Sequence, residues 1–397
     1  MKKFIFSSAL LAMVLSFGAC NKNLNEGNLI AGPVAPEVKS GEVLLDISFG
    51  APMTKVAAQT ETNEKSIQNI QIFVFRADTD SNGNPTGDYG MVEIAASAGF
   101  PTSAQYGTPT SDLGVTTGSY TFPDKIRCST GMREVWAVIN DTKDHTSGDD
   151  AVQTKAEFMA LTHPLETSNP SKLLMIGRSN PEGNSAVIQL NEGVQSVNIP
   201  VYRQVASVIL ENITNDMSSP AYQKPGCFRL ENCYLINVPG KINFGKNFGV
   251  AGYGSAPSAF EEADWYARLA AETTVPRSAI LYDNLSQELV EYGSSHTVKH
   301  TFYAYPNDCA ASTDAAWSPR ATLLVLEASI KYASGWVKYY YPVTLDGGLQ
   351  SNKQYHVGLT IHRPGSLDPN KPVTFSDMTP TITVSNWEDG WSINPEI

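Results

Sequence analysis

One cysteine near the start of the chain has the surroundings of a lipid-bearing residue. The chain opens with two lysines and an apolar run, and two small residues, Gly18 and Ala19, stand directly before Cys20. This order is a secretory signal, and its apolar run is too short to cross a bilayer as a helix. We predict a signal peptide at residues 1–19 and a palmitate-bearing lipoprotein modified at Cys20. Ordinary secretion with an incidental Cys20 is the alternative.

A lysine in a polar stretch could be a site of proteolysis. Lys55 lies within residues 51–66, between two strand-like segments, where proteases find extended backbone. We predict cleavage between Lys55 and Val56. Lys65 is a second candidate, whereas a cut after Lys39 would leave the first strand in place. The alternative is a solvated loop lysine without a role.

Two patterns are similar to metal sites but lack the necessary context. Asp78–Gly83 alternates oxygen ligands like a calcium loop, but its twelfth position is Tyr89 in place of glutamate. His296 and His300 are four apart, a spacing that converges on a helix, yet their neighbours read as a loop entering a strand. We predict no metal and no cofactor.

No nucleophile elbow or phosphate-binding glycine loop occurs, which indicates that the chain is not an enzyme.

The elements that carry these residues are mostly strands. Val43, Leu45, Ile47 and Phe49 form an apolar stripe of period two, as in a half-buried strand. Further strands are predicted at 70–75, 134–140, 173–176, 186–190, 197–201, 205–213, 228–238, 301–305, 322–332, 336–345 and 355–361.

Two segments read as helices. Residues 150–161 have one apolar face, and we expect Asp149 or Asp150 to cap this helix. Residues 258–271 begin with a capping-box pattern. Many short strands with few helices predict an all-β protein of β-sandwich domains, with a boundary near Tyr202.

Composition narrows the range of functions. The 397 residues carry a net charge of −12, which argues against a nucleic-acid partner. No run of 18 apolar residues follows the signal, so we predict no transmembrane helix. Besides Cys20 there are four cysteines that could pair in three ways, although we expect isolated buried thiols. These cysteines are Cys128, Cys227, Cys233 and Cys309.

The order of the segments resembles the FimA-type fimbrillins, the subunits of type V pili in Bacteroidota. The resemblance covers essentially the whole chain and is carried by the lipoprotein signal, Met53–Val56, Ile70–Phe75, Cys128–Arg133 with the VWAVIN strand, Phe302-Tyr303, Asn307-Asp308, Tyr340–Val343 and the block Tyr355–Trp387.

This resemblance implies two tandem transthyretin-like β-sandwich domains, at residues 56–201 and 202–397, with a few short helices. They would follow a lipidated propeptide, residues 20–55, that includes the first strand. The resemblance also implies an assembly route. A surface protease cuts after a basic residue (an arginine in the best-known cases, a lysine here), the first strand leaves, and the C-terminal strand of another subunit fills the groove.

The end of the chain has the residues such a donor strand needs. Its apolar positions repeat with the same period as the first strand, so one groove could accept either segment. Pro395 suits an edge position. The alternatives are that this tail frays or pairs within its own subunit. The apolar positions are Trp391, Ile393, Pro395 and Ile397.

We therefore predict a structural pilus subunit, a stalk (shaft) protein that supports cell adhesion, located in the outer membrane as precursor and then in the extracellular fimbrium. Its expected partners are copies of itself, other fimbrial subunits, outer-membrane lipid, a processing protease and host or bacterial surface ligands. The alternatives are an anchor or tip subunit, or a glycan-binding surface lipoprotein. Trp336, Tyr339 and Tyr340 could bind glycans, but their place in a strand predicts core packing.

Overall fold

Strands make up most of the described chain, as the alternating apolar pattern predicts. The computed structural model describes residues 40–50, 67–78, 81–82, 86, 88–100, 119–122, 125–165, 172–180, 186–246, 265–266, 281–309, 320–345 and 348–387. These residues all lie within one unit that spans 38–397. The protein is all-β, and its short helices fall between strands.

The strands of the first half begin with the predicted alternating segment. They are β1 (Glu42–Gly50), β2 (Ile70–Arg76), β3 (Met91–Ala98), β4 (Ser119–Thr121), β5 (Ile126–Ser129), β6 (Gly131–Ile139), β7 (Thr162–Pro164), β8 (Met175–Arg178), β9 (Val187–Leu190) and β10 (Gly193–Arg203). A helix, α1 (Lys155–Ala160), follows a 3-10 turn at Gly148–Asp150.

These strands pair in the order β3-β2-β6-β8-β10-β1-β4, with β5 also on β1 and β9 on β6. β10 joins two parts of this arrangement, because Gly193–Pro200 pair with β1 and Val201–Arg203 pair with β8. Inward side chains of β1, β2, β6 and β10 form one buried cluster. The two parts therefore pack face to face, with β10 passing from one to the other, as strands do at the corners of sandwiches.

The strands of the second half are β11 (Ala206–Asn215), β12 (Phe228–Ile236), β13 (Val238–Pro239), β14 (Lys241–Asn243), β15 (Trp265–Tyr266), β16 (Tyr282–Asn284), β17 (Ser295–Ala304), β18 (Leu323–Tyr332), β19 (Gly335–Thr344), β20 (Lys353–Ile361) and β21 (Met378–Asn386). One sheet has the order β17-β11-β20-β21 and another has the order β16-β12-β18-β19. Their inward faces share a buried core, to which β20 contributes the alternating residues Tyr355, Val357, Leu359 and Ile361.

The two halves are joined by a continuous apolar contact. β7 of the first half pairs with β14 of the second. Phe158 of α1 packs edge-on against Phe244, with 5.8 Å between the ring centroids. His163 and the Tyr305 hydroxyl lie 2.7 Å apart and are both buried. β10 ends at Arg203, close to the predicted boundary near Tyr202, and the division into two domains stays a prediction.

The first predicted helix is shorter than expected, and its predicted cap is wrong. Asp149 and Asp150 lie in the 3-10 turn, and the helix that follows is capped by Thr154. The Thr154 hydroxyl accepts from the backbone N–H of Glu157, and the Glu157 carboxylate accepts from the Thr154 N–H, each at 3.1 Å. This capping box satisfies two backbone donors at once, and Thr154 takes the capping place that was predicted for Asp149 or Asp150.

The second predicted helix, residues 258–271, is wrong where the structure describes it. Trp265 and Tyr266 form β15, which pairs antiparallel with Val238 and Pro239 of β13. A backbone partner on a neighbouring strand outweighs local helix propensity here. The rest of this segment lies outside the described residues. Across the part of the chain that is described, no helix has the length and hydropathy to span a membrane.

Candidate functional site

The predicted removable strand is an interior strand of the first half. The side chains of Val43, Leu45, Ile47 and Phe49 point inward and are 0% exposed. They pack in one cluster with side chains from β2, β6 and β10. Full burial of a large aliphatic or aromatic side chain stabilises by about 1.5–3 kcal/mol. This strand therefore fills a slot in the core.

Backbone partners lie on both sides of β1. On one side it runs parallel to β10, in register from Val43 with Gly193 to Gly50 with Pro200. On the other side it is antiparallel to β5 and then to β4. The ladder to β10 is about 26 Å long, at about 3.3 Å per residue. Without β1, this slot would be a groove between β10 on one side and β5 and β4 on the other. Each of these neighbouring strands would then have an edge that lacks the backbone partner it has in β1.

The outward face of β1 carries two surface ion pairs and also Leu44, which is 2% exposed but belongs to none of the apolar clusters of the described residues. Glu42 forms an ion pair with Arg127, and Asp46 lies 4.0 Å from Lys125. Exposed pairs of this kind contribute about 0–1 kcal/mol. The inward apolar side chains therefore hold this strand in register, and a slip by one residue would turn all four toward solvent.

Cys128 lies on the wall of the slot. Its backbone is paired with Val43, and its thiol is buried in the same cluster as the four inward side chains. Burial, together with the negative charge of Glu93, raises the pKa of Cys128 to about 11. The thiol is thus protonated and shielded while β1 is in place. All four described cysteines are free thiols.

Several predicted site residues lie outside the described residues. They are Cys20, Lys55, Val56, Trp391, Ile393, Pro395 and Ile397. Lipidation, the cleaved bond and the donor strand therefore stay predictions. The structure does describe the residue from which the tail departs, Trp387, which is 0% exposed.

Trp387 is fixed from three directions. The backbone N–H of Trp387 donates to the backbone carbonyl of Asn352 at 2.9 Å. Its ring stacks on Tyr303, with 5.9 Å between centroids and 22° between planes, and the Arg203 guanidinium lies 4.6 Å from its ring centroid. A desolvated cation–π contact can contribute about 2 kcal/mol. The tail therefore leaves from a fixed point beside the end of β10. The sequence did not indicate this contact between Trp387 and Arg203.

The calcium-like pattern Asp78–Gly83 lies partly outside the described residues, because Asp80 and Gly83 are not among them. Asp78 and Asp88 are hydrogen-bonded partners across the loop between β2 and β3. His296 and His300 both lie in β17, which begins earlier than predicted, and they face different carboxylates, those of Glu288 and Asp283. Among the described residues, no three potential ligands are grouped to hold a metal ion.

The predicted core role of Trp336 is wrong. Trp336 is 36% exposed, and its ring lies on the Arg229 guanidinium at 4.3 Å from the centroid. It follows the tight turn that joins β18 and β19, and among the described residues it belongs to none of the buried apolar clusters. Tyr339 and Tyr340 are partly buried against apolar clusters, as predicted.

Comparisons with known proteins agree with this architecture. No family model and no curated protein matches the sequence. Solved structures do match. A protein assigned to cell adhesion from Bacteroides eggerthii has a TM-score of 0.55 at 17% identity, covering 89% of this chain and 98% of that one. Another from Parabacteroides distasonis has a TM-score of 0.56 at 15% identity, covering 88% and 98%.

A fimbrilin, FimA from Porphyromonas gingivalis, matches with a TM-score of 0.55 at 15% identity, covering 87% of this chain and 98% of that one. At such low identity the likeness concerns the fold, and it extends over nearly the full length of each of these proteins. The chain has the fold of the fimbrillin-type proteins of Bacteroidota.

Proposed function

We propose that this chain is a structural subunit of a fimbrium, a stalk protein that supports cell adhesion. It is exported as a lipoprotein through Cys20 and held at the outer membrane. A protease cuts between Lys55 and Val56, β1 leaves with its lipid, and the segment Trp391–Ile397 of another copy enters the groove. The subunits then polymerise by donor-strand exchange.

The observation that carries this proposal is the setting of β1. Its four inward side chains are completely buried, it has backbone partners on both sides, and the predicted cut follows it in sequence. Losing four such anchors would expose apolar surface worth about 6–12 kcal/mol, at 1.5–3 kcal/mol for each side chain. A groove opened in this way needs a replacement strand whose apolar side chains also recur at every second residue.

The C-terminal segment Trp391–Ile397 has apolar residues at every second position. Its four apolar positions alternate with polar residues over seven residues, the same count and spacing as the inward residues of β1. Backbone hydrogen bonds to both walls would provide affinity, and the alternate pockets would set the register. The similar solved structures support the proposal of a fimbrial subunit, because they include a fimbrilin and proteins assigned to cell adhesion.

Deletion of Trp391–Ile397 tests the donor role. The cleaved, truncated protein should give no detergent-resistant ladder of polymers on gels, whereas the intact tail should give one. Ile393→Asp should also abolish the ladder, because it places a charge in an apolar pocket. Asn394→Asp is the matched control, since the same charge would point outward. Ladders that persist after the deletion would reject the donor role.

N-terminal sequencing of protein from assembled filaments tests the removal of β1. A chain that begins at Val56 supports the proposed cut, and a chain that still begins at Cys20 rejects it. Truncated monomer that stays at the membrane while other subunits assemble would favour an anchor subunit. Binding of glycan that depends on Trp336, by intact lipidated protein, would favour the surface-lipoprotein alternative.

A further inference from the structure

One wall of the slot takes its strand pairing from β1. Among the described strands, β4 and β5 each pair with β1 alone. The opposite wall is different, because β10 continues past the slot and pairs with β8 through Val201–Arg203. Removal of β1 would therefore leave β4 and β5 without any neighbouring strand among the described ones, whereas β10 would stay joined to β8.

The edge of β5 that faces away from β1 is held by a side chain. The Thr130 N–H donates to the Gly41 carbonyl at 3.2 Å, which continues the ladder between β5 and β1. Because hydrogen-bonded positions alternate along an antiparallel ladder, the Ser129 N–H points away from β1. This N–H donates to the Glu93 carboxylate at 2.6 Å, and the Ser129 hydroxyl donates to the same oxygen at 2.6 Å. Glu93 thus takes the place that a backbone carbonyl of a further strand would have.

Glu93 reaches β5 from an irregular position in β3. Val74 of β2 pairs with Ile94, and the next residue, Phe75, pairs with Val92. Glu93 therefore stands opposite no residue of β2, as the extra residue of a β-bulge does. Bulges bend a strand locally and redirect a side chain. The irregularity of β3 accounts for a carboxylate that leaves its own ladder and contacts the wall of the slot.

Arg133 completes this contact from a strand inside the sheet. It lies in β6, between β2 and β9, and is 9% exposed. Its guanidinium donates to the Glu93 carboxylate, to the Ser129 hydroxyl at 2.6 Å and to the Thr130 carbonyl at 3.2 Å. Burial alone would raise the pKa of Glu93, but the hydrogen bonds from Ser129 and Arg133 outweigh burial and lower that pKa. The carboxylate is therefore charged at neutral pH, and charge-assisted hydrogen bonds are stronger than neutral ones.

We propose that Glu93 and Arg133 are positioning residues for the emptied slot. With Ser129 they form a staple that keeps β5 in place after β1 has left, so that the wall is ready for an incoming strand. None of the three contacts within this staple involves β1. By contrast, the ion pair of Arg127 on the same strand is lost with β1, because its partner is Glu42. This inference rests on the proposed function, since it assigns a role in accepting a replacement strand.

A full-length chain with an emptied slot tests this role. Ile47→Asp places a charge among apolar side chains and should displace β1. A labelled synthetic peptide with the sequence of residues 43–50 should then bind in the slot, as measured by fluorescence anisotropy. Adding Glu93→Gln to this chain should weaken peptide binding by roughly 10- to 100-fold, the range for one hydrogen bond to a charged group.

Arg127→Gln in the Ile47→Asp chain is the matched control. It removes an ion pair from the same strand, but the partner Glu42 belongs to the displaced strand and is absent from the peptide. Peptide binding should change by about twofold or less, as for most surface substitutions. Hydrogen exchange over residues 126–130 provides a second measurement. It should be slow in the Ile47→Asp chain and fast once Glu93→Gln is added.

The chain with native β1 separates this role from a general contribution to the fold. There, Glu93→Gln should leave Cys128 shielded from alkylation, because β1 still pairs with the whole of β5. Rapid alkylation in that chain would overturn the inference, as would equal weakening of peptide binding by Arg127→Gln.

A third contrary result is that the Ile47→Asp chain binds no peptide, because the wall would then have collapsed despite an intact staple. Failure of the donor role is a separate result. Polymer ladders that survive deletion of the C-terminal segment would reject the proposed function and leave the peptide-binding contrast unchanged.

Discussion

Ile47→Ala should make β1 open far more often. Ile47 is 0% exposed, in the middle of the inward stripe, and its backbone carbonyl accepts from the Phe122 N–H at 2.8 Å. Truncating a buried isoleucine to alanine costs about 2–5 kcal/mol, through lost burial and the cavity left behind. If this loss applies to the opening of β1, the open population rises by roughly 30-fold to several-thousand-fold, at tenfold for every 1.4 kcal/mol.

The thiol of Cys128 provides the assay. It is shielded behind β1, with its pKa raised to about 11 mainly by burial, and opening of the strand returns it to solvent. The rate of alkylation at Cys128, followed by peptide mass spectrometry, should therefore rise by the same factor as the open population. Peptide mapping separates this thiol from the others, so the remaining cysteines can stay in place.

Ser48→Ala is the matched control on the same strand. Ser48 lies on the outward face, with its hydroxyl 3.5 Å from the Asn198 side chain. Its removal should change the alkylation rate by about twofold or less, as for most surface substitutions. Equal rates for Ile47→Ala and Ser48→Ala would refute the claim that the inward stripe holds β1 in its slot.

Three further predictions concern buried contacts and a helix cap away from β1. Trp387→Ala should lower the free energy of unfolding in urea by about 3–5 kcal/mol, because a fully buried ring is lost; a change below 1 kcal/mol would contradict the anchoring role. Burial lowers the pKa of His163, so the unfolded chain binds its proton first and stability should fall as pH decreases below about 6.5; urea titrations at several pH values should show a shallower decline in His163→Gln. Thr154→Ala should cost about 0.5–2 kcal/mol through loss of the helix cap, measured in the same way, and a value indistinguishable from zero would show that Glu157 alone suffices.

The strands with clear period were predictable from sequence. β1 and β20 each alternate apolar and polar residues over most of their length, and both lie as expected. β3 was missed, because MVEIAASA has alanines and a glutamate in place of β-branched residues. It forms because β2 beside it offers a full set of backbone partners.

Contacts between distant segments could not be predicted. Nothing in either strand indicates that β1 runs parallel to β10, which follows it by more than a hundred residues. The short ladder between β7 and β14 likewise depends on the packing of the two halves. Cation–π contacts of Arg203 with Trp387 and of Arg229 with Trp336 are set by tertiary packing, so local sequence gave no signal for them.

The two-sided pairing of β1 also has a mechanical meaning. Hydrogen bonds to β10, β5 and β4 lie across the strand axis, so tension along that axis loads all of them together as shear. A force that peels one end sideways breaks them one after another. The same slot therefore resists pulling along its length far better than prying at its ends.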